Sequence, residues 1–154
     1  MRDKKYVRSI KNWNGRFTRD DKYGLFAPTR GGLELLDLKN GARVKVFIPK
    51  VAEGVFDVDT LITGNDMHII YYHTGKRTIR VYRISDGKKI ADYKSTAKIK
   101  SMLCAQDNRS VIFGCEDGTV NMLIIADPED EEGVENLRLW RQDQLSLYSR
   151  DGEF

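Results

Sequence analysis

Few side chains in this sequence are typed and spaced for chemistry, and most of those fail on spacing. A phosphate-binding loop needs a glycine, four residues and then Gly-Lys-Ser/Thr, so that successive backbone amides wrap the phosphates ahead of a helix. Gly75-Lys76-Arg77-Thr78 offers a fragment of this. Ile70 stands where the first glycine belongs, the hydroxyl is displaced by one position, and strand-like runs flank the segment. A hairpin turn explains it, and nucleotide binding is not expected. His68 and His73 are five apart, so on a strand they face opposite ways and cannot chelate one ion. Cys104 and Cys115 form no Cys-x-x-Cys pair and add no zinc spacing; small apolar packing suits both. No Gly-x-Ser-x-Gly elbow exposes a serine nucleophile. Asn108-Arg109-Ser110 fits a glycosylation sequon, but Asp107 and Asn108 are also what a tight turn needs there. The chain is expected to be no enzyme and to hold no cofactor or metal.

Charge is more informative. Residues 1 to 50 hold 13 Lys and Arg against five acids, interleaved with Tyr6, Trp13, Phe17 and Tyr23. Such a stretch could neutralise phosphates and stack bases, which makes a nucleic-acid-binding or anionic-surface-binding β-domain the alternative reading. Alternating basic residues also solvate a strand face and guard its edge, and that reading is preferred. Residues 1 to 126 carry 23 basic and 14 acidic side chains, a net of +9, whereas residues 127 to 154 carry three and nine, a net of −6. The shift places a boundary at 126/127, ahead of Asp127-Pro128-Glu129-Asp130-Glu131-Glu132. With 40% apolar and 32% charged residues the chain is not a disordered tail. Met1-Arg2-Asp3-Lys4-Lys5 leads into no signal-type apolar run, and no run approaches the roughly 18 residues of a membrane span. A cytoplasmic protein is expected.

These residues must be positioned by short alternating runs: Leu33-Glu34-Leu35-Leu36, Val44-Lys45-Val46-Phe47, Phe56-Asp57-Val58, Ile79-Arg80-Val81-Tyr82 and Ile99-Lys100-Ser101-Met102-Leu103. Asn40-Gly41, Gly64-Asn65-Asp66, Asp86-Gly87, Asp107-Asn108 and Asp117-Gly118 separate the runs and tolerate the positive φ of hairpin turns. The pattern is all-β and antiparallel. It also repeats: residues 32–41, 78–87 and 118–125 superimpose, and Leu36, Tyr82 and Leu123 fall 46 and 41 residues apart. Both spacings fit a four-stranded propeller blade.

At these residues the sequence resembles WD40-repeat proteins, whose blades read Asp-Gly-Thr-Val, three residues, Trp-Asp, and a glycine four residues after the Asp. Asp117-Gly118-Thr119-Val120 matches the opening, and Leu36-Asp37 with Gly41 matches the close with Leu for Trp. Tyr82-Arg83 with Gly87 keeps the spacing but loses the Asp, and Leu123-Ile124 loses both residues. No Gly-His dipeptide occurs, so the Asp-His-Ser-Trp network of many such blades is not expected. The resemblance covers residues 5 to 126. It implies about three four-stranded antiparallel blades of a partial WD40-like β-propeller, at about 5–38 (strands 5–10, 13–17, 23–28 and 32–38), 42–84 (42–48, 55–62, 67–73 and 78–84) and 88–125 (88–93, 99–105, 110–115 and 119–125), followed by an acidic linker and tail over 127–154. Val111 to Pro128 is also similar to the propeller end of the NACHT-and-WD-repeat proteins, which would imply an NTPase module upstream.

Closed propellers need about four blades, so the remaining blades are expected from upstream sequence or from association. The implied function is a non-catalytic protein–protein interaction scaffold. Its expected contacts are loop residues at the blade ends where fourth-to-first and second-to-third connections emerge: Arg19, Asp20, Lys39, Asn65, Asp86 and Arg109. In the tail, Val134, Leu137 and Trp140 fit a helical stripe, while Leu137/Leu139 and Leu145/Leu147 alternate as a strand would.

Overall fold

A computed structural model describes residues 14–27, 32–49, 58–73 and 77–130. It contains eleven strands: β1 (Asn14–Phe17), β2 (Tyr23–Ala27), β3 (Leu33–Asp37), β4 (Arg43–Ile48), β5 (Val58–Ile62), β6 (His68–His73), β7 (Thr78–Arg83), β8 (Lys89–Lys94), β9 (Ile99–Cys104), β10 (Ser110–Cys115) and β11 (Val120–Ile124). No helix among the described residues is long and apolar enough to cross a membrane. The strands form three antiparallel meanders: sheet 1 is β1-β2-β3-β4, sheet 2 is β5-β6-β7-β8, and sheet 3 is β9-β10-β11. First strands lie side by side, β1 against β5 and β5 against β9, and the Arg16 Nε–H donates to the Thr60 carbonyl across the first junction at 3.1 Å. The fold is an open, partial propeller.

The grouping of strands into sheets differs from expectation. Strands at 42–48 and 88–93 were expected to open the second and third blades; they are instead β4 and β8, the outermost strands of sheets 1 and 2. Two hairpins explain this. The N–H of Asp37 donates to the Ala42 carbonyl and that of Gly41 to the Asp37 carbonyl, and Arg83, Lys88 and Gly87 repeat the pattern. Gly41 and Gly87 take φ of 70° and 78°, open to glycine at little cost, so the chain reverses onto its own sheet. The blades therefore run 14–48, 58–94 and 99–124. The expected strand at 5–10 and the tail from 131 lie outside the described residues.

A second hairpin repeats through all three sheets. At Thr18–Tyr23, Thr63–His68 and Ala105–Ser110 the first residue's N–H donates to the last residue's carbonyl, and Asp21, Asp66 and Asn108 supply the left-handed backbone position that Asp and Asn tolerate. The Thr63 hydroxyl donates to Asn65 Oδ1 at 2.7 Å and accepts from the His68 N–H at 3.0 Å; Thr18, Asp20 and Tyr23 copy this. Ala105 has no hydroxyl, and there the Ser110 N–H turns to Asp107 at 2.8 Å. Thr63 is buried. Thr63→Ala should cost about 1–2 kcal/mol, seen as a lower urea midpoint at unchanged m-value, and Thr63→Ser should recover most of it.

Burial follows the stacking of sheets. Sheet 2 is covered on both faces, so β6 (His68-Ile69-Ile70-Tyr71-Tyr72-His73) is buried along its whole length and reads as a continuous run. One core sets Leu25, Ala27, Leu33 and Leu35 against Ile69, Tyr71 and Tyr82. The other sets Ile70, Tyr72, Ile79 and Val81 against Val111, Phe113 and Cys115. In β10, covered on one face, burial alternates residue by residue.

Candidate interaction face and the carboxylate network beside it

All six candidate loop residues lie at one end of the arc. Arg19 and Asp20 are in the β1–β2 hairpin, Asn65 in β5–β6, Arg109 in β9–β10, Lys39 in β3–β4 and Asp86 in β7–β8. Because neighbouring strands run oppositely, first-to-second and third-to-fourth connections share an end. With the observed grouping this is the opposite end of the blades from the one expected.

Their surroundings divide them. Arg19 and Lys39 are exposed, and their backbone amides are fixed: the Arg19 N–H donates to Asp66 Oδ2 at 2.9 Å and the Lys39 N–H to Asp37 Oδ1 at 2.7 Å. Lys22, which the sequence did not single out, is exposed beside them, 3.2 Å from Asp20. Asp20 is held below the usual carboxylate range by the Thr18 hydroxyl and then the Lys22 N–H. The Lys88 N–H, foremost, and the Arg83 guanidinium do the same for Asp86. Asn65 accepts from the Thr63 hydroxyl and the Met67 N–H. Arg109 is mostly buried, its Nε 3.6 Å from Asp130. Arg19 and Lys39 thus point outward on a rigid frame, while the other four maintain the frame. Shallow clefts open between the hairpins, one bordered by Arg19, Ile62, Gly64, Cys104, Gln106 and Asn108.

Beside this face lies the most charged buried cluster among the described residues. Asp127 follows β11 and reaches back to sheet 2. Arg83 grips it through two hydrogen bonds of 2.9 Å, from Nε to Oδ2 and from Nη2 to Oδ1; His68 Nε2 is 2.8 Å from Oδ2, and the Glu129 N–H caps Oδ1 at 3.1 Å. The Asp127 and His68 side chains are fully buried and that of Arg83 is 4% exposed. Arg83 also pairs with Asp86 at 2.7 Å and with Glu129. Burial alone would raise the Asp127 pKa, but the Arg83 and His68 hydrogen bonds outweigh it and bring it down to about 2. The same carboxylate raises Arg83.

The sequence offered no warning of this cluster, since Asp127 is 59 residues from His68 and 44 from Arg83. A buried carboxylate–imidazole pair is therefore present without a Gly-His motif. The geometry is that of a clamp: the His68–Asp127 pair is sealed from solvent, and Asp127 ties the chain after sheet 3 to Arg83 and His68 of sheet 2. Residues 127–130, expected to open a linker, pack on the body, with Asp127 and Asp130 both buried. His73 and Cys115 are buried and Cys104 half-buried. No group of three or more His, Cys, Asp or Glu side chains among the described residues could hold a metal ion.

The arc resembles solved propellers. The β-propeller domain of Cps50 (Swd1) from Myceliophteria thermophila superimposes with a TM-score of 0.64 at 12% identity, over 81% of this chain and 37% of that one. The WD40 β-propeller domain of Doa1 gives 0.58 at 20% identity, over 77% and 39%. These likenesses show the fold, and this chain spans well under half of either domain. No match to a curated protein was found. The profile of one family covers residues 1–125, nearly the whole described region, and the chain belongs to that family: the NWD2 C-terminal beta-propeller.

Proposed function

We propose that the chain is a non-catalytic protein-interaction scaffold that presents the hairpin end carrying Arg19, Lys22 and Lys39. WD40 propellers generally serve as such scaffolds, which supports the class. The observation that carries the finer reading is the repeated hairpin, whose internal bonds fix the backbone of each loop before any partner arrives, so little entropy is lost on binding. A cytoplasmic location belongs to the same reading, on the strength of two free thiols. The nucleic-acid alternative is weakened, because several of the basic side chains that suggested it are engaged internally: Arg16 with Thr60, Arg43 with Glu34, and Lys45 with the Ile84 and Ser85 carbonyls.

Exchanging both outward cations, Arg19→Glu with Lys39→Glu, should reduce retention of bound proteins in quantitative affinity capture by about tenfold, mostly through slower association. Neither side chain is buried, so thermal stability should not move. Unchanged retention would place the binding surface elsewhere.

A further inference from the structure

Two clefts at the hairpin end share Arg19, Ile62 and Gly64 and so join into one groove. One half runs along Phe17, Thr63 and Asp66, the other along Cys104, Gln106 and Asn108. Gly64 keeps the passage open, since a Cβ there would stand 2.7 Å from Asn108 Oδ1. The groove crosses hairpins of sheets that are already joined, so it is present whatever stands beyond the outer sheets.

Arg19 borders both halves with an unused charge. Of the seven arginines among the described residues, six hold an acceptor at the guanidinium: Arg16, Arg43, Arg77, Arg80, Arg83 and Arg109. The Arg19 guanidinium has none. Neighbouring carboxylates are committed elsewhere, Asp66 to the Arg19 N–H and Asp20 to Thr18 and Lys22. The far rim of the groove supplies a candidate acceptor. Asp130, where the described residues stop, is held at Arg109, next to Asn108 in the same hairpin. Glu131, Glu132 and Glu135 come next in the sequence. Stacked sheets stand about 10 Å apart, and an extended chain covers that distance in about three residues, so these carboxylates are within reach of Arg19.

We propose that the acidic segment 131–135 lies in this groove with its carboxylates on Arg19, a tethered cover over the interaction face. Tethering gives the segment an effective concentration of about millimolar order, so a protein partner has to displace it, and does so with carboxylates of its own. That consequence rests on the reading of Arg19 as a partner contact, whereas the docking itself does not.

Cys104 borders the groove and Cys115 is buried against Ser95, which makes disulfide trapping in the full chain the direct test. Under mild oxidation Val134→Cys should cross-link to Cys104 about tenfold faster than Gly152→Cys, a position farther along the same tether. Adding Arg19→Glu to Val134→Cys turns attraction into repulsion and should slow the cross-link about tenfold. Exchanging Glu131, Glu132 and Glu135 for Lys in that same variant should then restore the rate, which damage to the fold would not allow. Equal rates for Val134→Cys and Gly152→Cys overturn the proposal, as does a rate that Arg19→Glu leaves unchanged or that the Lys exchange fails to restore. Failure of the wider reading looks different: the cross-link then behaves as described, while the chain with Arg19→Glu and Lys39→Glu retains its bound proteins unchanged.

Discussion

Asp127→Ala should lower the unfolding free energy at neutral pH by about 3 kcal/mol or more, read from denaturant midpoints, because it leaves a buried guanidinium and imidazole without their common acceptor. Burial decides the magnitude. Lys89 and Asp92 also approach to 2.8 Å, but both side chains are more than 40% exposed, and Asp92→Ala should cost under about 1 kcal/mol. Asp86 and Glu129 remain on Arg83 in the variant and keep the loss near the lower figure. Asp127→Asn should fall between, since a neutral amide cannot accept from both the Arg83 fork and His68. Acid provides an independent reading. The Asp127 carboxyl titrates at about 2 when folded, below its ordinary value of 3.8, so its contribution is complete above about pH 4 and drains as pH falls toward 2. Wild type and Asp127→Ala should therefore differ most at neutral pH and converge in acid. A gap that stays constant down to pH 2 would show that the charge is not what stabilises the clamp.

The strands were legible because alternation and turn chemistry are local. β6, β7, β9, β10 and β11 fall within a residue or so of the expected 67–73, 78–84, 99–105, 110–115 and 119–125. Sheet membership was harder, since a repeat period fixes the length of a unit and carries no information about where the unit begins. The clue was Asn40-Gly41 and Asp86-Gly87, which demand hairpins and so tie β4 to β3 and β8 to β7. Extending the repeat by a few residues would also have moved Asp127 out of the tail. Asn40, Asp86 and Asp127 keep the 46 and 41 spacing, and each side chain accepts from the amide two residues on, at Ala42, Lys88 and Glu129. Pro128 then stands where Gly41 and Gly87 turn with positive φ, a conformation its ring forbids, and the third unit bends through Asp127–Asp130 instead. The contacts of that bend with His68 and Arg83 join residues far apart in sequence, and no local pattern encodes them. Arg83 had even counted against the family pattern, because it occupies the place of an aspartate; its buried acceptor comes from the next sheet.

Phe113→Ala should cost about 4 kcal/mol, in the range for emptying a phenyl-sized site in a packed core. Phe113 is 1% exposed, lies in the core that joins sheets 2 and 3, and meets Tyr93 edge-on at 5.8 Å between ring centroids. Ile112, its neighbour in β10, points to the outward face and is only partly buried, so Ile112→Ala should cost well under half as much. The distribution of the damage matters as much as its size. Each sheet of the arc packs on its neighbours alone, so stability is close to a sum of sheet and junction contributions. A loss of about 4 kcal/mol is a large share of the 5–15 kcal/mol that holds a domain folded. Native-state hydrogen exchange on Phe113→Ala should therefore show amides of β9, β10 and β11 losing protection, while β2 and β3, held by the separate Leu25–Leu35–Ile69 core, keep theirs. Equal loss across all three sheets would mean that the clamp at Asp127 and the first-strand contacts make the arc a single cooperative unit. In that case Asp127→Ala combined with Phe113→Ala should uncouple sheet 3, since the double variant lacks both the core contact and the tether.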